Sequence, residues 1–371
     1  MDVEARCLVY FPVQLLRGRV YFFVQENLYS SLRFAICVLR LRFLFLRFGG
    51  LMPRLHYTTI VQERSVSADA VEVFDLGTNP LSVLNIVIRP LNETSTLANY
   101  ARYLELVGAF NSIRVLYKGQ SVISASGRDL AALNYARSGI VPREANPDNT
   151  DNTRRCCSLP ILLGRFPYDP SSAFPRTNRG DLTIELDIDV ADTGYDNFKY
   201  SIESVEILDA QPSEYERKVT IAKTFNATGN QDTPLPVGNA LRGLLLFGTT
   251  GARGATPAPS WGSMQLLLNN QQHTMASMEW ESSMLYANLL GRQPPASDAH
   301  QHSMEPVAGI ETTQHFEVGS GGWEQYSYVD LDPTRNDMYS IQTAGASQFL
   351  LRCQAETADA VRLIPVERIA I

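Results

Sequence analysis

From Met52 to its end, the chain consists of short runs rich in Val, Ile, Leu, Tyr and Thr, separated by clusters of turn-forming residues. This pattern is typical of β-sandwiches and barrels, in which each short strand is followed by a turn. Within Leu182–Val190 apolar and polar residues alternate with a period of two, so the polar positions share one face, which we expect to be solvated. The sequence therefore predicts an all-β fold.

Helices are few in this pattern, and long polar loops separate several of the strands. The predicted strands are His56–Gln62, Ala70–Asp75, Leu84–Arg89, Ile113–Tyr117, Leu159–Leu163, Leu182–Val190, Tyr200–Leu208, Arg217–Thr224, Leu241–Phe247, Met264–Leu268, Gln314–Val318, Tyr326–Leu331, Gln348–Gln354 and Val361–Val366. The predicted helices are Thr94–Val107, Arg128–Ala136 and Glu279–Leu289. The predicted loops are Val141–Arg155, Gly248–Gly262 and Gly291–Gly309, and loops of this length often carry surface function.

A weak self-similarity relates two parts of the chain at a shift of 151 residues. Each copy has an apolar strand that ends in a turn-forming pair, and then a small-residue pair that opens a short helix. The matching segments are Val115–Gln120 with Leu266–Gln271, and Ala125–Ser126 with Ala276–Ser277. A period this long excludes a solenoid, whose repeats run at roughly 20–50 residues. It predicts two similar β domains, residues 52–210 and 211–371, that meet near Ala210–Ser213.

Residues 1–51 differ sharply from this body. They hold seven Arg, three acidic residues and ten aromatics, giving +4, whereas the other 320 residues carry 25 bases and 36 acids, giving −11. The apolar run is interrupted by Arg and is too short for a membrane-spanning helix, and it lacks the order of a signal peptide. Two interpretations stay open: a start assigned too far upstream, or an arm that binds a membrane or another protein. The overall charge of −7 argues against a dedicated nucleic-acid binder.

None of the candidate catalytic or metal-binding groups has a spacing that assigns it a role. His300 and His302 could ligate a metal but lack a third ligand at zinc spacing, so we expect a solvated loop. His315 and Glu317 alternate on one strand and are expected to form a surface pair. Two further acidic groups are not expected to form sites. Glu279 and Glu281 around Trp280 resemble a glycosidase pair but diverge on a helix, and we expect Trp280 to be buried. Glu185, Asp187, Asp189 and Asp192 could bind calcium but lack the calcium-loop spacing.

No nucleophile elbow, P-loop or dinucleotide fingerprint occurs in the sequence. The five cysteines show no framework spacing and indicate a reducing compartment with buried or idle thiols: Cys7, Cys37, Cys156, Cys157 and Cys353. The sequence therefore predicts a non-enzyme with no catalytic, cofactor or metal site.

Several segments together carry a family resemblance that covers residues 53–371. They are Phe110–Gly119 followed by Ser126–Leu130, Leu159–Phe166 followed by Asp181–Asp189, and, most strongly, Tyr328–Pro333, Ile341–Gly345, Phe349–Gln354 and Val361–Val366. Two tandem β domains with a helix inserted after a turn resemble the double jelly-roll major capsid proteins of tailless icosahedral viruses, the lineage of tectiviruses and adenoviruses. The resemblance implies two jelly-roll β-sandwich domains with short inserted helices. A jelly roll leaves few exposed sheet edges, which suits close packing of many copies.

The same resemblance implies a homotrimer that tiles a viral shell as pseudo-hexagonal capsomers, with loops that project outward as towers. Its implied partners are other copies, neighbouring capsomers, vertex proteins and, in many such viruses, an internal membrane, but no sequence-specific nucleic acid. Its implied location is the virion, assembled in the host cytoplasm. The alternative is a non-catalytic two-domain β-sandwich that binds carbohydrate through loop aromatics such as Trp261, Trp280 and Trp323. We expect Leu130 and Leu133 to pack the inserted helix onto a sheet.

Overall fold

The structure is a computed structural model of all 371 residues. It describes residues 53–92, 103–138, 153–190, 195–249, 259–275, 277–280, 282–283 and 325–371, together with four short strands elsewhere. The chain divides into two units, Met1–Met52 and Pro53–Ile371. In the first unit, Gln14–Leu16 pairs antiparallel with Arg19–Tyr21. The predicted capsid-like body corresponds to the second unit.

The chain is dominated by strands. In chain order they are β1 (Gln14–Leu16), β2 (Arg19–Tyr21), β3 (Arg54–Val66), β4 (Ala70–Asp75), β5 (Leu81–Ile88), β6 (Leu91–Asn92), β7 (Phe110–Tyr117), β8 (Gln120–Ala125), β9 (Cys157–Leu162), β10 (Leu182–Ile188), β11 (Tyr195–Asp196), β12 (Phe198–Leu208), β13 (Glu214–Val219), β14 (Ile221–Thr224), β15 (Gly229–Pro234), β16 (Ala240–Gly248), β17 (Trp261–Leu268), β18 (Gln271–Gln272), β19 (Met278–Glu279), β20 (Ala299–His302), β21 (His315–Val318), β22 (Tyr326–Asp330), β23 (Ile341–Gln342), β24 (Phe349–Ala355) and β25 (Ala360–Ala370). Helix α1 spans Tyr103–Gly108 and helix α2 spans Gly127–Ser138.

The predicted all-β class is confirmed, and each predicted strand overlaps an observed one. One was wrong in its continuity, because Arg217–Thr224 is divided at Thr220 into β13 and β14. The helix predicted over Arg128–Ala136 is confirmed as α2. That predicted over Thr94–Val107 overlaps α1, and its first nine residues lie outside the described part of the chain. The helix predicted from Glu279 was wrong at its start, because Glu279 ends strand β19; most of its remainder lies outside the described residues.

The first half of the body is a two-sheet sandwich. One sheet has the strand order β3-β12-β5-β9, and the other contains β4-β10-β7-β8. Neighbours within each sheet run antiparallel, and the strands that neighbour each other are mostly distant in sequence. Two four-stranded sheets with such crossed connections are the arrangement of a jelly roll.

The second half repeats this arrangement strand for strand. The order β13-β25-β16-β22 corresponds to β3-β12-β5-β9, and the order β15-β24-β17-β18 corresponds to β4-β10-β7-β8. Strand β14 continues β13 along β25, and β19 adds to β17. The fold is therefore two jelly rolls in tandem, here called the first and second rolls.

A single parallel strand pair joins the two rolls into one ten-stranded sheet. Lys218 and Val219 of β13 lie opposite Ile123 and Ser124 of β8. Because these strands are parallel, the corresponding strands of both rolls run in the same direction, and the rolls stand upright side by side.

Each roll has its own hydrophobic core. The first core is built mainly from residues 61–202 and includes Phe110, Phe198 and Tyr200 in edge-to-face contact. The second core is built from residues 225–363 and contains Trp261 stacked on Trp280. A few side chains of the second roll, such as Tyr328, belong to the first core. Two cores agree with the division of the body into two domains, and the boundary at 210/211 remains a prediction.

The sequence repeat marks the same hairpin in the two rolls. Lys118–Gly119 links β7 to β8, and Asn269–Asn270 links β17 to β18. All four residues have positive φ, between 49° and 79°, as required by the two-residue hairpin turn whose twist matches the strands. The turn-forming pairs that revealed the repeat are therefore at equivalent positions of the fold.

Replacing Lys118 by Asn is expected to stabilise the protein by about 0.5–1 kcal/mol, because Asn accepts a positive φ more readily than Lys and Asn-Gly is the preferred pair for this turn. The exposed ion pair that is lost, Lys118 Nζ to Asp181 at 3.8 Å, contributes little. Urea unfolding measures the change. Asn270→Lys, which places Lys at the second positive-φ position of the equivalent hairpin turn, is the control and should destabilise; a stabilised Asn270→Lys variant would contradict the explanation.

A buried ionic junction and two exposed apolar surfaces

Helix α2 is inserted between β8 and β9 and attaches the first roll to the second. The Ser126 hydroxyl accepts a hydrogen bond from the Asp129 backbone N–H at 3.1 Å, which caps the helix. Leu130 and Leu133 are almost fully buried in the first core, so the prediction that they pack the helix onto the sandwich is confirmed.

The first turn of α2 contributes a buried carboxylate to the contact between rolls. Arg362 of β25 donates to Asp129 from Nη2 at 3.0 Å and from Nε at 3.2 Å, and the Tyr326 hydroxyl donates at 2.8 Å. The Arg362 guanidinium also lies 3.8 Å from the centre of the Phe247 ring. Burial and the neighbouring Asp129 carboxylate raise the pKa of Tyr326 well above its ordinary value. The hydroxyl therefore stays protonated and remains a donor.

A larger group of charges lies where the last turn of α2 meets β13. Arg137 donates to both carboxylate oxygens of Glu216, at 2.6 and 2.8 Å. Lys218 Nζ lies 3.0 Å from Glu216 and also donates to the backbone carbonyl of Leu162 at 2.5 Å. Arg242 also lies near Glu216, at 3.4 Å, and it pairs with Glu214 and Asp337, which extends the group. The junction cluster, as it is called below, consists of Arg137, Glu214, Glu216, Lys218, Arg242 and Asp337.

Charge balance keeps Glu216 ionised although it is fully buried. Burial alone raises the pKa of this carboxyl, but the attraction of Arg137, Lys218 and Arg242 outweighs it and brings the pKa to about 2. Burial lowers the pKa of Lys218 to about 8, and the attraction of Glu216 only partly offsets it. Glu216 is thus stabilised by its partners, whereas the Lys218 charge is tolerated at a cost.

The junction cluster is extended by a loop of the second roll that follows β22. Arg165, just after β9, pairs with Asp332 and, at 2.7 Å, with Asp337. Arg242 donates to Asp337 from Nε at 2.7 Å and to Glu214 at 2.6 Å. Backbone bonds run alongside, since Glu216 N donates to Leu163 O at 2.8 Å. Paired charges and backbone bonds together fix the orientation of one roll against the other.

The strand directions define two ends of the unit Pro53–Ile371. We call the end at which β5 and β16 begin the base end. Both hairpin turns of the repeat, the connection 209–213 between the rolls and the C-terminal Ile371 lie at this end. The three longest connections between sandwich strands leave from the opposite end: they run from β5 to β7, from β8 to β9 and from β19 to β22.

The large apolar side chains exposed among the described residues fall into two groups. Four lie on β3 and β4, the end strands of two sheets, and form the edge surface: Leu55, Tyr57, Val71 and Val73. Six lie in base-end loops or at the C-terminus and form the base surface: Phe166, Tyr168, Val237, Met338, Tyr339 and Ile371. Exposed apolar side chains on one side or one end of a fold are candidate sites of interaction.

The structure places the candidate metal-ligating histidines, His300 and His302, in a strand rather than in the expected loop. The prediction that His300 and His302 lie in a loop was wrong, because both belong to strand β20, which pairs with β21. In this register His302 lies opposite His315 and His300 lies opposite Glu317. The expected pair of His315 and Glu317 lies within one strand, and its side chains are outside the described part of the chain.

The acidic residues of β10 lie in a row and do not converge. The burial of β10 alternates as predicted, but its polar face is half-buried rather than fully solvated. Glu185 pairs with Arg114, and Asp189 accepts from Asn111 Nδ2 at 3.4 Å. Asp192 lies outside the described residues, and among those described no group of three His, Cys, Asp or Glu side chains is arranged to hold a metal ion.

Two of the three tryptophans in the carbohydrate-binding alternative cannot serve as surface platforms. Trp261 and Trp280 are fully buried in the second core, which confirms the expectation of a buried Trp280. Trp323 lies outside the described residues, as does Glu281, the proposed partner of Glu279. The alternative is therefore wrong in its choice of Trp261 and Trp280, because both indole rings are buried in the second core.

The three described cysteines form no disulfide. Cys157 and Cys353 are buried and Cys156 is half-buried. Burial raises the pKa of Cys353 to about 12, so this thiol is unreactive at neutral pH. Among the described residues no helix is long and apolar enough to span a membrane.

Sequence reasoning missed the junction cluster. Glu214, Glu216 and Lys218 alternate along β13, and a charged period-two face indicates a solvated surface. No local signal distinguishes a strand whose polar face is covered by another roll from a strand whose polar face is solvated. The only hint is that Arg137 directly follows the predicted helix Arg128–Ala136, which is expected to pack onto a sheet.

Solved structures with the same architecture are found at low sequence identity. The chain is similar to the major capsid protein P2 of bacteriophage PM2, with a TM-score of 0.57 at 11% identity, covering 85% of this chain and 97% of that one. The major capsid protein of Sulfolobus turreted icosahedral virus gives 0.60 at 11% identity, covering 85% and 97%. The PBCV-1 virus capsid gives 0.53 at 10% identity, covering 86% and 94%.

The fold is the double jelly roll. Similarity at this level of identity establishes the architecture, and the predicted fold class is confirmed. No protein-family model and no curated protein sequence matches the chain.

Proposed function

We propose that this protein is a non-enzymatic major capsid protein of a virion, which trimerises into pseudo-hexagonal capsomers that tile an icosahedral shell. The observation that carries the proposal is the pair of upright, parallel rolls held by a buried ionic junction. A rigid pair of equal rolls gives each chain two adjacent corners of a hexagonal outline, so three chains supply six. The solved capsid proteins of the same fold support this assignment.

The base surface supports a direction for the subunit within the shell. Six exposed apolar side chains lie in base-end loops or at the C-terminus, and the exposed Arg176 and Arg179 lie at the same end. Aromatic and basic side chains together suit the boundary between a lipid surface and water. The base end therefore faces the interior and an internal membrane, and the long connections at the opposite end project outward as towers. Neighbouring capsomers and vertex proteins are the further partners.

Purified protein is expected to be a trimer of 41.3 kDa chains by light scattering, and its electron micrographs should show hexagonal capsomers. In assembled particles the base ends should face inward, above bilayer density where a membrane is present. A protein that stays a monomer at every concentration and binds sugars on a glycan array would contradict the proposal and favour the carbohydrate-binding alternative.

A further inference from the structure

Within one chain, a sheet of the first roll continues directly into a sheet of the second. The continuous order is β4-β10-β7-β8 and then β13-β25-β16-β22, with β8 and β13 as the joined strands. The two remaining sheets do not continue. The four-stranded sheet of the first roll ends at β3, and the sheet of the second roll ends at β18.

These two free ends are the counterparts of the two strands that are joined. In the repeated strand order, β3 of the first roll holds the position of β13 in the second, and β18 of the second holds that of β8 in the first. Each chain therefore contains the β8–β13 pairing once. It also carries the counterparts of these two strands, β18 and β3, as end strands on the outer sides of the two rolls.

The β3 side has the properties of a surface that becomes buried. Tyr57 is 66% exposed and Leu55 is 44% exposed, and Tyr57 lies opposite the buried Val205 of β12. Val71 and Val73 on the neighbouring β4 are also exposed, and the short connection 67–69 places β4 at the same side of the roll. At the other free sheet end, in the second roll, Gln271 and Gln272 of β18 are exposed. A long exposed end strand with apolar side chains is a ready site for pairing with another chain.

We propose that the edge surface of one copy docks against the β18 side of a second copy, in the parallel arrangement that joins β8 to β13 within the chain. The inference rests on the proposed capsid function and specifies its subunit contact. The partner is a second copy because its β18 is the counterpart of β8, and the β8–β13 pairing within the chain shows how two such strands fit together. The contact is head to tail, which forms a ring where the rotation between copies closes, and a ring of three copies contains six rolls.

Cysteine cross-linking tests the position of the contact. Trimer carrying His56→Cys on β3 and Gln272→Cys on β18 is expected to form inter-chain disulfides under mild oxidation and to give a ladder that ends at three chains. The single variants report any background from the native thiols. As a matched control, His56→Cys combined with Met338→Cys on the base surface should remain uncross-linked. Cross-links in the control pair alone would overturn the assignment.

A second measurement uses charge at the edge surface. The double variant Leu55→Lys and Tyr57→Lys is expected to weaken trimer association on the order of 30-fold or more, because a buried interface tyrosine is a typical hot spot. Met338→Lys, at an equally exposed position, should leave the trimer intact, and thermal melts should show that both variants fold. A trimer unaffected by the double variant overturns this interface but leaves the capsid proposal standing. A wild-type protein that never trimerises contradicts the capsid proposal itself.

Discussion

Replacing Glu216 by Gln is expected to lower the free energy of unfolding by about 3–5 kcal/mol, the usual effect of removing one partner from a buried ion pair. The substitution keeps the size of the side chain but leaves Arg137, Lys218 and Arg242 buried without their shared carboxylate. Urea unfolding at neutral pH measures the loss. Because the cluster joins the two rolls, we also expect the variant to show separate unfolding transitions for them.

Lys218→Met is the matched control in the same cluster. The lowered pKa of Lys218 shows that its charge is unfavourable there, so we expect its removal to change stability by no more than about 1 kcal/mol, mainly through the lost bond to the Leu162 carbonyl. Equal losses in the two variants would contradict this division of roles.

The same cluster predicts a dependence on acid. The pKa of Glu216 is lower in the folded protein than in the unfolded chain, so its contribution is fully present above pH 4.5 and is lost as the pH falls toward 2. Stability measured between pH 5 and pH 2 should therefore fall more steeply in the wild type than in Glu216→Gln.

Gly127→Ala is expected to destabilise the protein by about 3 kcal/mol, at the upper end of the usual cost of overpacking. A Cβ atom at this position would lie 2.0 Å from the backbone oxygen of Val107 in α1. Backbone cannot move aside as a flexible side chain does, so α2 would have to shift. That shift would disturb both Asp129 with Arg362 and Arg137 with Glu216. Thermal unfolding measures the loss.

Gly119→Ala is the control for the loss of a glycine without a clash. Nothing lies within 4 Å of a Cβ at that position. The substitution should therefore lower the stability by only about 1 kcal/mol, the strain of an alanine at positive φ. If Gly127→Ala costs no more than Gly119→Ala, the close approach of α1 and α2 is not a constraint on the fold.

Much of this fold could be predicted from local pattern. Alternating stretches such as Leu182–Ile188 became strands with alternating burial, because a strand at a core must direct every second side chain inward. The turn pairs at 118–119 and 269–270 marked equivalent hairpins, because few residues accept the φ that such turns require.

The interaction surfaces could not be predicted in the same way. Tyr57, Val71 and Val73 occupy ordinary positions of strands β3 and β4, and nothing in their neighbourhood in sequence shows that these strands lie at the ends of their sheets. Which strand ends a sheet depends on pairing between residues more than a hundred positions apart, such as Tyr57 with Val205.

The sequence by itself determined the strands, the tight turns, the inserted helix α2 and the doubling of the unit. Each of these follows from periodicity or from backbone preferences that act over a few residues. Only the tertiary structure decided that Glu216 is buried among three cations, that Trp261 and Trp280 lie in a core, and that β3 and β18 are the end strands of their sheets. The reason is physical: burial, charge pairing and sheet ends arise from contacts between distant segments, and the same residues would be solvated if those segments did not meet.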